Sequence, residues 1–158
     1  MATTLVNSLR GDRVSDLRLR DVCRARPSDR IDHVVQCMMQ QRTGCVLVTG
    51  DDGRLTGIFT ERDFVTRVVA QGRDVSQAVE NVMTPKPRTI ARSATVLQAV
   101  ELMGTDGYRH LPVMGEDGKP VGVLSVKDVV HYLVEYFPAK VYNLPPTPEH
   151  TNPAREGA

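Results

Sequence analysis

The sequence predicts an α+β fold in which two copies of one unit pack as a pseudo-twofold pair. The motif GIFTERD at residues 57–63 returns as GVLSVKD at residues 122–128. A shift of 65 positions, the separation of the two motifs, keeps apolar and turn residues in phase between residues 14–69 and 79–134 without a gap. Two copies are fewer than an open stack of repeats needs, so we expect them to close on each other.

The composition is that of an ordinary globular chain. The 158 residues are 41% apolar and 25% charged, with a net charge of +1. This length suits one domain or two small units that share a core, and it excludes a large multi-domain enzyme. The nearly balanced charge gives no general attraction for nucleic acid, and no apolar run approaches the roughly 20 residues of a membrane span. We expect neither partner and, because residues 1–10 lack the pattern of a signal peptide, a cytoplasmic location.

Each unit begins with a predicted amphipathic helix, which short helix-like segments precede at residues 14–17 and 75–83. Ser28 and Ser93 are candidate N-caps, because a serine hydroxyl can accept a hydrogen bond from a free amide of the first helical turn. The apolar residues that follow at helical spacing are Ile31, Val34, Val35 and Met38 in the first copy and Val96, Ala99, Val100 and Met103 in the second.

A hairpin follows the helix in each unit. The β-like runs CVLV at residues 45–48 and HLPV at residues 110–113 lead into DDGR and EDGK turns. The apolar runs LTGIF and VGVL come after these turns. Asp-Gly between two apolar runs predicts a hairpin, because glycine accepts the positive φ that the turn requires.

The hydroxyl and the carboxylate of each motif have two interpretations. The spacing of Thr60 with Asp63, and of Ser125 with Asp128, fits a capping box at a strand-to-helix step, which needs no ligand. The same step leaves free backbone amides that favour a phosphate, and a nearby carboxylate can accept from both hydroxyls of a ribose. The cation before each aspartate is either a solvated helix charge or a phosphate partner.

The cysteines and histidines predict no disulfide framework and no metal site. Cys23, Cys37 and Cys45 are an odd number without a CxxC pair, so we expect reduced, buried thiols. His33 and Cys37 are four residues apart on a predicted helix, but no further ligand has suitable spacing. Because no Walker loop, nucleophile elbow or HExxH pattern occurs either, we expect no catalytic activity.

The two motifs, with VMTPKPRTI at residues 82–90 and YRHLPVMGEDGKPVG at residues 108–122, resemble those of a tandem pair of CBS domains, also called a Bateman module. The resemblance extends from about residue 14 to residue 137. It implies two β-α-β-β-α units with two clefts related by the pseudo-twofold axis. The implied division of the chain is an N-terminal segment (1–13), a first CBS domain (14–74), a second CBS domain (75–137) and a proline-rich tail, expected to be extended or disordered (138–158).

The resemblance also implies adenosine ligands in the clefts: AMP, ADP or ATP, and less often NAD or S-adenosylmethionine. The matching positions in the second copy are Thr84 and Thr89 in a cleft wall, Arg109, His110, Leu111 and Pro112 in the strand that faces the base, Ser125 toward the phosphate, Lys127 as a charge partner and Asp128 toward the ribose. The matching positions in the first copy are Val46, Thr60, Arg62 and Asp63. The first copy departs from the pattern where Gly44 and Cys45 replace Arg109 and His110.

The implied role is regulation of a partner protein by a free-standing module that forms a homodimer. The sequence does not identify that partner. The main alternative is a ligand-silent module that serves dimerisation or protein interaction, in which each repeated motif is only a helix cap.

Overall fold

The computed structural model describes residues 2–137, so the predicted tail at residues 138–158 lies outside the described residues. The helices are α1 (Ala2–Gly11), α2 (Ile31–Gln41), α3 (Glu61–Asp63), α4 (Val96–Asp106) and α5 (Val126–Tyr136). The strands are β1 (Arg24–Ala25), β2 (Cys45–Thr49), β3 (Leu55–Thr60), β4 (Thr84–Pro85), β5 (Ile90–Ala91), β6 (His110–Met114) and β7 (Pro120–Ser125). Short 3₁₀ turns lie at Val14–Asp16 and Val79–Asn81, and a wider π-helical segment, Phe64–Val69, continues α3. Helix α1 has no counterpart in the prediction.

The strands form two sheets with the same plan. In the first sheet β1 runs parallel to β2, β2 pairs antiparallel with β3, and β4 completes the order β1-β2-β3-β4. In the second sheet β5 runs parallel to β6, and β6 pairs antiparallel with β7. Both Asp-Gly turns adopt the expected positive φ, 76° at Gly53 and 73° at Gly118. The predicted α+β class and the two hairpins are confirmed.

The segment that leads into each copy, residues 14–20 for the first and 79–85 for the second, crosses over and packs on the other copy. The amide of Val14 donates to the carbonyl oxygen of Ala94 at 2.8 Å, and the amide of Val79 donates to that of Asp29 at 2.8 Å. These two bonds are equivalent under the 65-residue shift, so the exchange is reciprocal. Further along each segment, β4 pairs antiparallel with β3 of the first copy, and Arg20 forms a β-bridge with Val123 of the second copy.

The glycine of each motif gives the crossing segment room to approach. A Cβ at Gly122 would lie 3.0 Å from the carbonyl oxygen of Arg20 and 3.3 Å from Cβ of Leu19. At Gly57 the added atom would clash with the side chain of Met83. The motifs therefore begin with glycine because another chain segment passes directly over that position.

The helices α2 and α4 begin two residues later than expected, so the predicted caps Ser28 and Ser93 are wrong. The observed N-caps are Arg30, which makes no side-chain capping bond, and Thr95, whose hydroxyl accepts from the amide of Gln98. Ser28 and Ser93 lie in turns instead, because the crossing segments bridge to Arg30 and Thr95 and hold the helix starts there. The Thr-x-x-Gln box was visible in the sequence.

The core consists of two clusters, one in each copy, and a smaller cluster between the sheets. Each copy's cluster includes apolar residues of the crossing segment: Val14 and Leu17 pack in the second copy, and Val79 and Val82 pack in the first. The smaller cluster contains Val22, Cys45, Leu47, Ile58 and Val123. Neither copy therefore encloses its apolar core without residues from the other's lead-in. Within residues 2–137, no helix is long and apolar enough to cross a membrane.

A disulfide joins Cys23 to Cys37, contrary to the expectation of reduced thiols. The partners are 14 residues apart in sequence, yet α2 and the residues around β1 share one apolar core, which brings the two Cα atoms to 6.3 Å, a spacing that suits a disulfide. An odd cysteine count without a CxxC pair did not reveal this proximity. Cys45 is a free, buried cysteine, as expected, and burial raises the pKa of its thiol to about 12, which makes it unreactive.

We expect Gly122→Ala to lower the free energy of unfolding by about 1–3 kcal/mol, because the new methyl group meets backbone atoms that cannot rotate away. Gly104→Ala is the matched control. Gly104 lies in α4 with open space around the added atom, so alanine there should raise stability by up to about 1 kcal/mol. Urea denaturation measures both changes. Equal stability of Gly122→Ala and the wild type would contradict the close approach.

The disulfide predicts one reactive thiol per chain when the protein is denatured in guanidinium without reductant, and three after reduction. Reduction should also lower the unfolding free energy by about 3 kcal/mol, because a closed loop of this length restricts the unfolded chain. The Cys23→Ser/Cys37→Ser variant should match the reduced wild type. Three thiols before reduction would show that the bond is absent.

Candidate functional site

The first repeated motif forms a strand-to-helix step, with Thr60 at the end of β3. The Thr60 amide donates to Oδ2 of Asp63 at 2.9 Å, and the Asp63 amide donates to the Thr60 hydroxyl oxygen at 3.2 Å. The Thr60 hydroxyl donates to the same carboxylate oxygen at 2.7 Å. The predicted capping box is present, and it uses only one of the two oxygens of Asp63.

The second motif builds the same step between β7 and α5. The amide and hydroxyl of Ser125 both donate to Oδ2 of Asp128, the amide at 2.8 Å, and the Asp128 amide donates back to the hydroxyl oxygen at 3.2 Å. Both aspartates are largely buried, with side chains 12% exposed at Asp63 and 8% at Asp128. Each copy therefore presents a buried carboxylate whose Oδ1 takes no part in helix capping.

In the first copy Oδ1 of Asp63 has two long polar contacts. The Thr84 hydroxyl of the crossing segment lies 3.5 Å away, and Nε of Arg67 lies 3.4 Å away. Arg67 is also held by the crossing segment, because its Nη1 donates to the carbonyl oxygens of Val82 at 3.0 Å and Met83 at 2.7 Å.

In the second copy Oδ1 of Asp128 is occupied by a strong bond. Nε of Arg20, on the other crossing segment, donates to it at 2.8 Å. The position equivalent to Arg67 holds Tyr132, whose hydroxyl donates to the carboxylate of Asp12. The negative charges of the two carboxylates are thus paired with arginines from different parts of the fold: Arg67 of the first copy for Asp63, and Arg20 of a crossing segment for Asp128.

A cleft of about 340 Å³, called here the first cleft, opens beside Thr60 and Asp63. Thr84 lies in this cleft and not in that of the second motif. Four arginines, two from the first copy and two from the second, give its wall a positive charge: Arg62, Arg67, Arg88 and Arg109. The acidic residues in the lining are Glu61 and Asp63, so cations outnumber anions there.

A cleft of about 380 Å³, the second cleft, lies beside Ser125 and Asp128. Its basic lining residues are Arg20, Arg42, Arg109 and Lys127. Four residues line both clefts and form their shared wall: Gly44, Glu61, Arg109 and His110. Both volumes are within the range of small-molecule sites.

Nine of the thirteen predicted site residues line a cleft, and the two motifs, Thr60 to Asp63 and Ser125 to Asp128, occupy equivalent positions in the two clefts. Those nine are Thr60, Arg62, Asp63, Thr84, Arg109, His110, Ser125, Lys127 and Asp128. Val46, Leu111 and Pro112 are buried in their strands and line neither cleft. Thr89 borders a separate depression on α4.

Sequence reasoning missed several lining residues. Arg67 could have been found, because it is four residues after Asp63 and such a pair meets on one face of a helix. Arg20 and Arg88 could not, since only the crossing of the lead-in segments brings them to the clefts.

His110 gives the shared wall a titratable group. Its side chain is half-buried, and burial is the main cause that lowers its pKa below the usual 6.5, against an opposing effect of the carboxylates of Glu61 and Asp128. His110 is therefore neutral near pH 7 and can both donate and accept a hydrogen bond. Among the described residues, no group of three or more His, Cys, Asp or Glu side chains is placed to hold a metal, and Cys37 is in the disulfide.

The family model of the CBS domain matches residues 14–70 and again residues 79–135. The chain belongs to the CBS domain family. The match confirms the resemblance of the two repeated motifs, and the tandem arrangement makes the chain a CBS pair.

Relatives and solved structures agree with this assignment. An uncharacterized 17.7 kDa protein of Acidianus ambivalens is 30% identical over 123 residues, which are 78% of this chain and 74% of that protein. A CBS domain-containing protein of Arabidopsis thaliana is 33% identical over 114 residues, 72% of this chain but 21% of the relative's length. A CBS domain protein of Pyrobaculum aerophilum complexed with AMP matches with a TM-score of 0.68 and 30% identity, over 73% of this chain and 88% of that one.

The pKa of His110 predicts that the CBS pair loses stability as the pH falls. In the unfolded chain this histidine takes up its proton near pH 6.5, whereas the folded state resists protonation to lower pH. The unfolded state therefore binds more protons just below pH 6.5, and the free energy of unfolding decreases there. Urea denaturation between pH 7.5 and 5.5 should show a smaller loss for His110→Gln than for the wild type. Parallel curves would contradict the depressed pKa.

Proposed function

We propose that this CBS pair is a regulatory module that binds adenosine nucleotides of the AMP, ADP or ATP class in its clefts and signals to a partner protein. The observation that carries the proposal is the buried carboxylate next to a helix start in each cleft, with one oxygen left over from capping. A ribose has two adjacent hydroxyls that can donate to such an oxygen. The AMP complex of the Pyrobaculum relative supports the same ligand class.

The positive charge around the first cleft suits the phosphate group of a nucleotide. Arg62, Arg88 and Arg109 line it, and arginine can bind a phosphate through two parallel hydrogen bonds. Neutral His110 adds a donor and an acceptor without repelling an uncharged base. A phosphate therefore has cationic partners in the cleft, while the chain as a whole carries a net charge of only +1.

A ligand acts as a signal only if it binds two arrangements of the module with different affinity. The shared wall of Gly44, Glu61, Arg109 and His110 supports such a role, because residues of both copies meet there. We infer that nucleotide binding alters the packing of the two copies and thereby the surface offered to a partner protein. The module then regulates without catalysing a reaction itself.

The homodimer and the cytoplasmic location stay proposals. The homodimer rests on the family resemblance. The disulfide is the observation that weighs against the cytoplasm, since such bonds persist in oxidising compartments and are rare in the cytosol.

A ligand-silent interaction module is the second candidate. The capping boxes favour it, because they account for Thr60, Asp63, Ser125 and Asp128 without any ligand. A module for S-adenosylmethionine or NAD is a further alternative, since both ligands contain the same adenosine group.

Thermal unfolding with AMP, ADP, ATP, NAD and S-adenosylmethionine, each added alone, tests these candidates. A ligand at about 100 times its dissociation constant should stabilise the protein by roughly 2.7 kcal/mol and raise the melting temperature by several degrees. We expect a shift with at least one of AMP, ADP and ATP, and a smaller shift for Arg109→Gln, which removes a cation common to both clefts.

Arg54→Gln is the matched control for this experiment. Arg54 lies at the hairpin turn, at the opposite end of β3 from Thr60, and its side chain is 71% exposed. The control should keep the full ligand shift. A shift only with NAD or S-adenosylmethionine would change the ligand class, and no shift with any of the five, in protein free of co-purified nucleotide, would favour the ligand-silent module.

A further inference from the structure

The two clefts differ at Oδ1 of the buried aspartate, the oxygen that takes no part in helix capping. Oδ1 of Asp63 has only contacts of 3.4 Å and 3.5 Å, whereas Oδ1 of Asp128 accepts a 2.8 Å bond from Arg20. A short bond between a guanidinium and a largely buried carboxylate is stronger than the two long contacts. A ligand hydroxyl that approaches Asp128 therefore meets an occupied acceptor, and one that approaches Asp63 does not.

The backbone holds Arg20 in this position. Its amide donates to the carbonyl oxygen of Val123 at 3.3 Å, and the Val123 amide donates back to the Arg20 carbonyl oxygen at 3.2 Å. The missing side chain of Gly122 leaves the space for that carbonyl. In the first copy, the 65-residue shift places Pro85 at the equivalent position, and proline has no side-chain donor. The difference between the clefts is therefore built into the sequence.

Arg20 and Asp128 also stand between two cavities. Both residues line the second cleft, and both line a larger depression of about 810 Å³ bordered by α5 and residues 16–21. The Arg20 side chain is 44% exposed, so it can leave the carboxylate for solvent. The pair therefore lies on the border between the second cleft and this depression.

We propose that Arg20 is a gate on the second cleft, which makes the two nucleotide sites of this chain unequal: the first cleft binds more tightly, and the second fills only when Arg20 leaves Asp128. This inference rests on the proposed function, because it names the ligand contact that Arg20 blocks. A nucleotide in the second cleft must displace a charge-assisted hydrogen bond to a buried carboxylate, and the free energy of breaking that bond is subtracted from the free energy of binding.

Isothermal titration with AMP and with ATP tests the gate. The second cleft is isolated in an Asp63→Asn background, which removes the carboxylate of the first cleft. We expect Arg20→Gln in this background to raise the affinity of the second cleft by about tenfold or more. The control is Arg26→Gln, which removes the same charge six residues further along the chain, at a side chain that is 75% exposed and lines neither cleft. The control should leave the affinity unchanged.

A second measurement needs no substitution of Arg20. In the ¹⁵N-labelled wild type, the Nε proton of Arg20 should exchange slowly with water while it is bonded to Asp128. Its exchange should become faster once AMP or ATP is added beyond the first equivalent.

The outcomes separate the two proposals. Binding to the first cleft with no gain from Arg20→Gln, or with slow Nε exchange at saturation of both clefts, overturns the gate and leaves the nucleotide sensor intact. In the Asp63→Asn background, binding that appears or tightens only when Arg20→Gln is added supports the gate. No binding of either nucleotide to the wild type or to any variant overturns both proposals.

Discussion

The reciprocal crossing of the two lead-in segments is the constraint on which the rest of this structure depends. Paired backbone bonds, from Val14 to Ala94 and from Val79 to Asp29, fix each segment on the opposite copy. The crossing sets where α2 and α4 begin, supplies apolar residues to both cores and, at Gly122, brings backbone atoms too close for any side chain. It therefore determines the shape of the clefts before any ligand is considered.

The same crossing decides the electrostatics of the clefts. A largely buried carboxylate needs a charged or hydrogen-bonding partner, because its desolvation is otherwise costly. Asp128 receives its cation, Arg20, directly from a crossing segment, whereas Asp63 uses Arg67 of its own copy, which in turn binds carbonyl groups of the other crossing segment. The backbones of the two clefts are thus related by an approximate symmetry, but the partners of the two aspartate Oδ1 atoms differ.

The sequence could predict features that depend on residues close together in the chain, and it could not predict those that depend on contacts between distant segments. The capping boxes of Thr60 and Ser125 and the Asp-Gly hairpins are local, so short patterns were sufficient. The cleft in which Thr84 lies, the Arg20 partner of Asp128 and the Cys23–Cys37 disulfide all depend on which segments meet in space. A repeat of 65 residues shows that two units exist, but it does not show that they exchange their lead-ins.

The exchange of lead-ins also bears on how such a chain arises. One unit alone would leave its own core without the apolar residues that the other unit's segment supplies, and two separate units would complete each other as a domain-swapped dimer. Gene duplication and fusion turn that assembly into an intramolecular event at a high effective concentration. Once fused, the halves need no longer be identical, and Arg20 opposite Pro85 or Arg67 opposite Tyr132 are the kind of divergence that fusion permits.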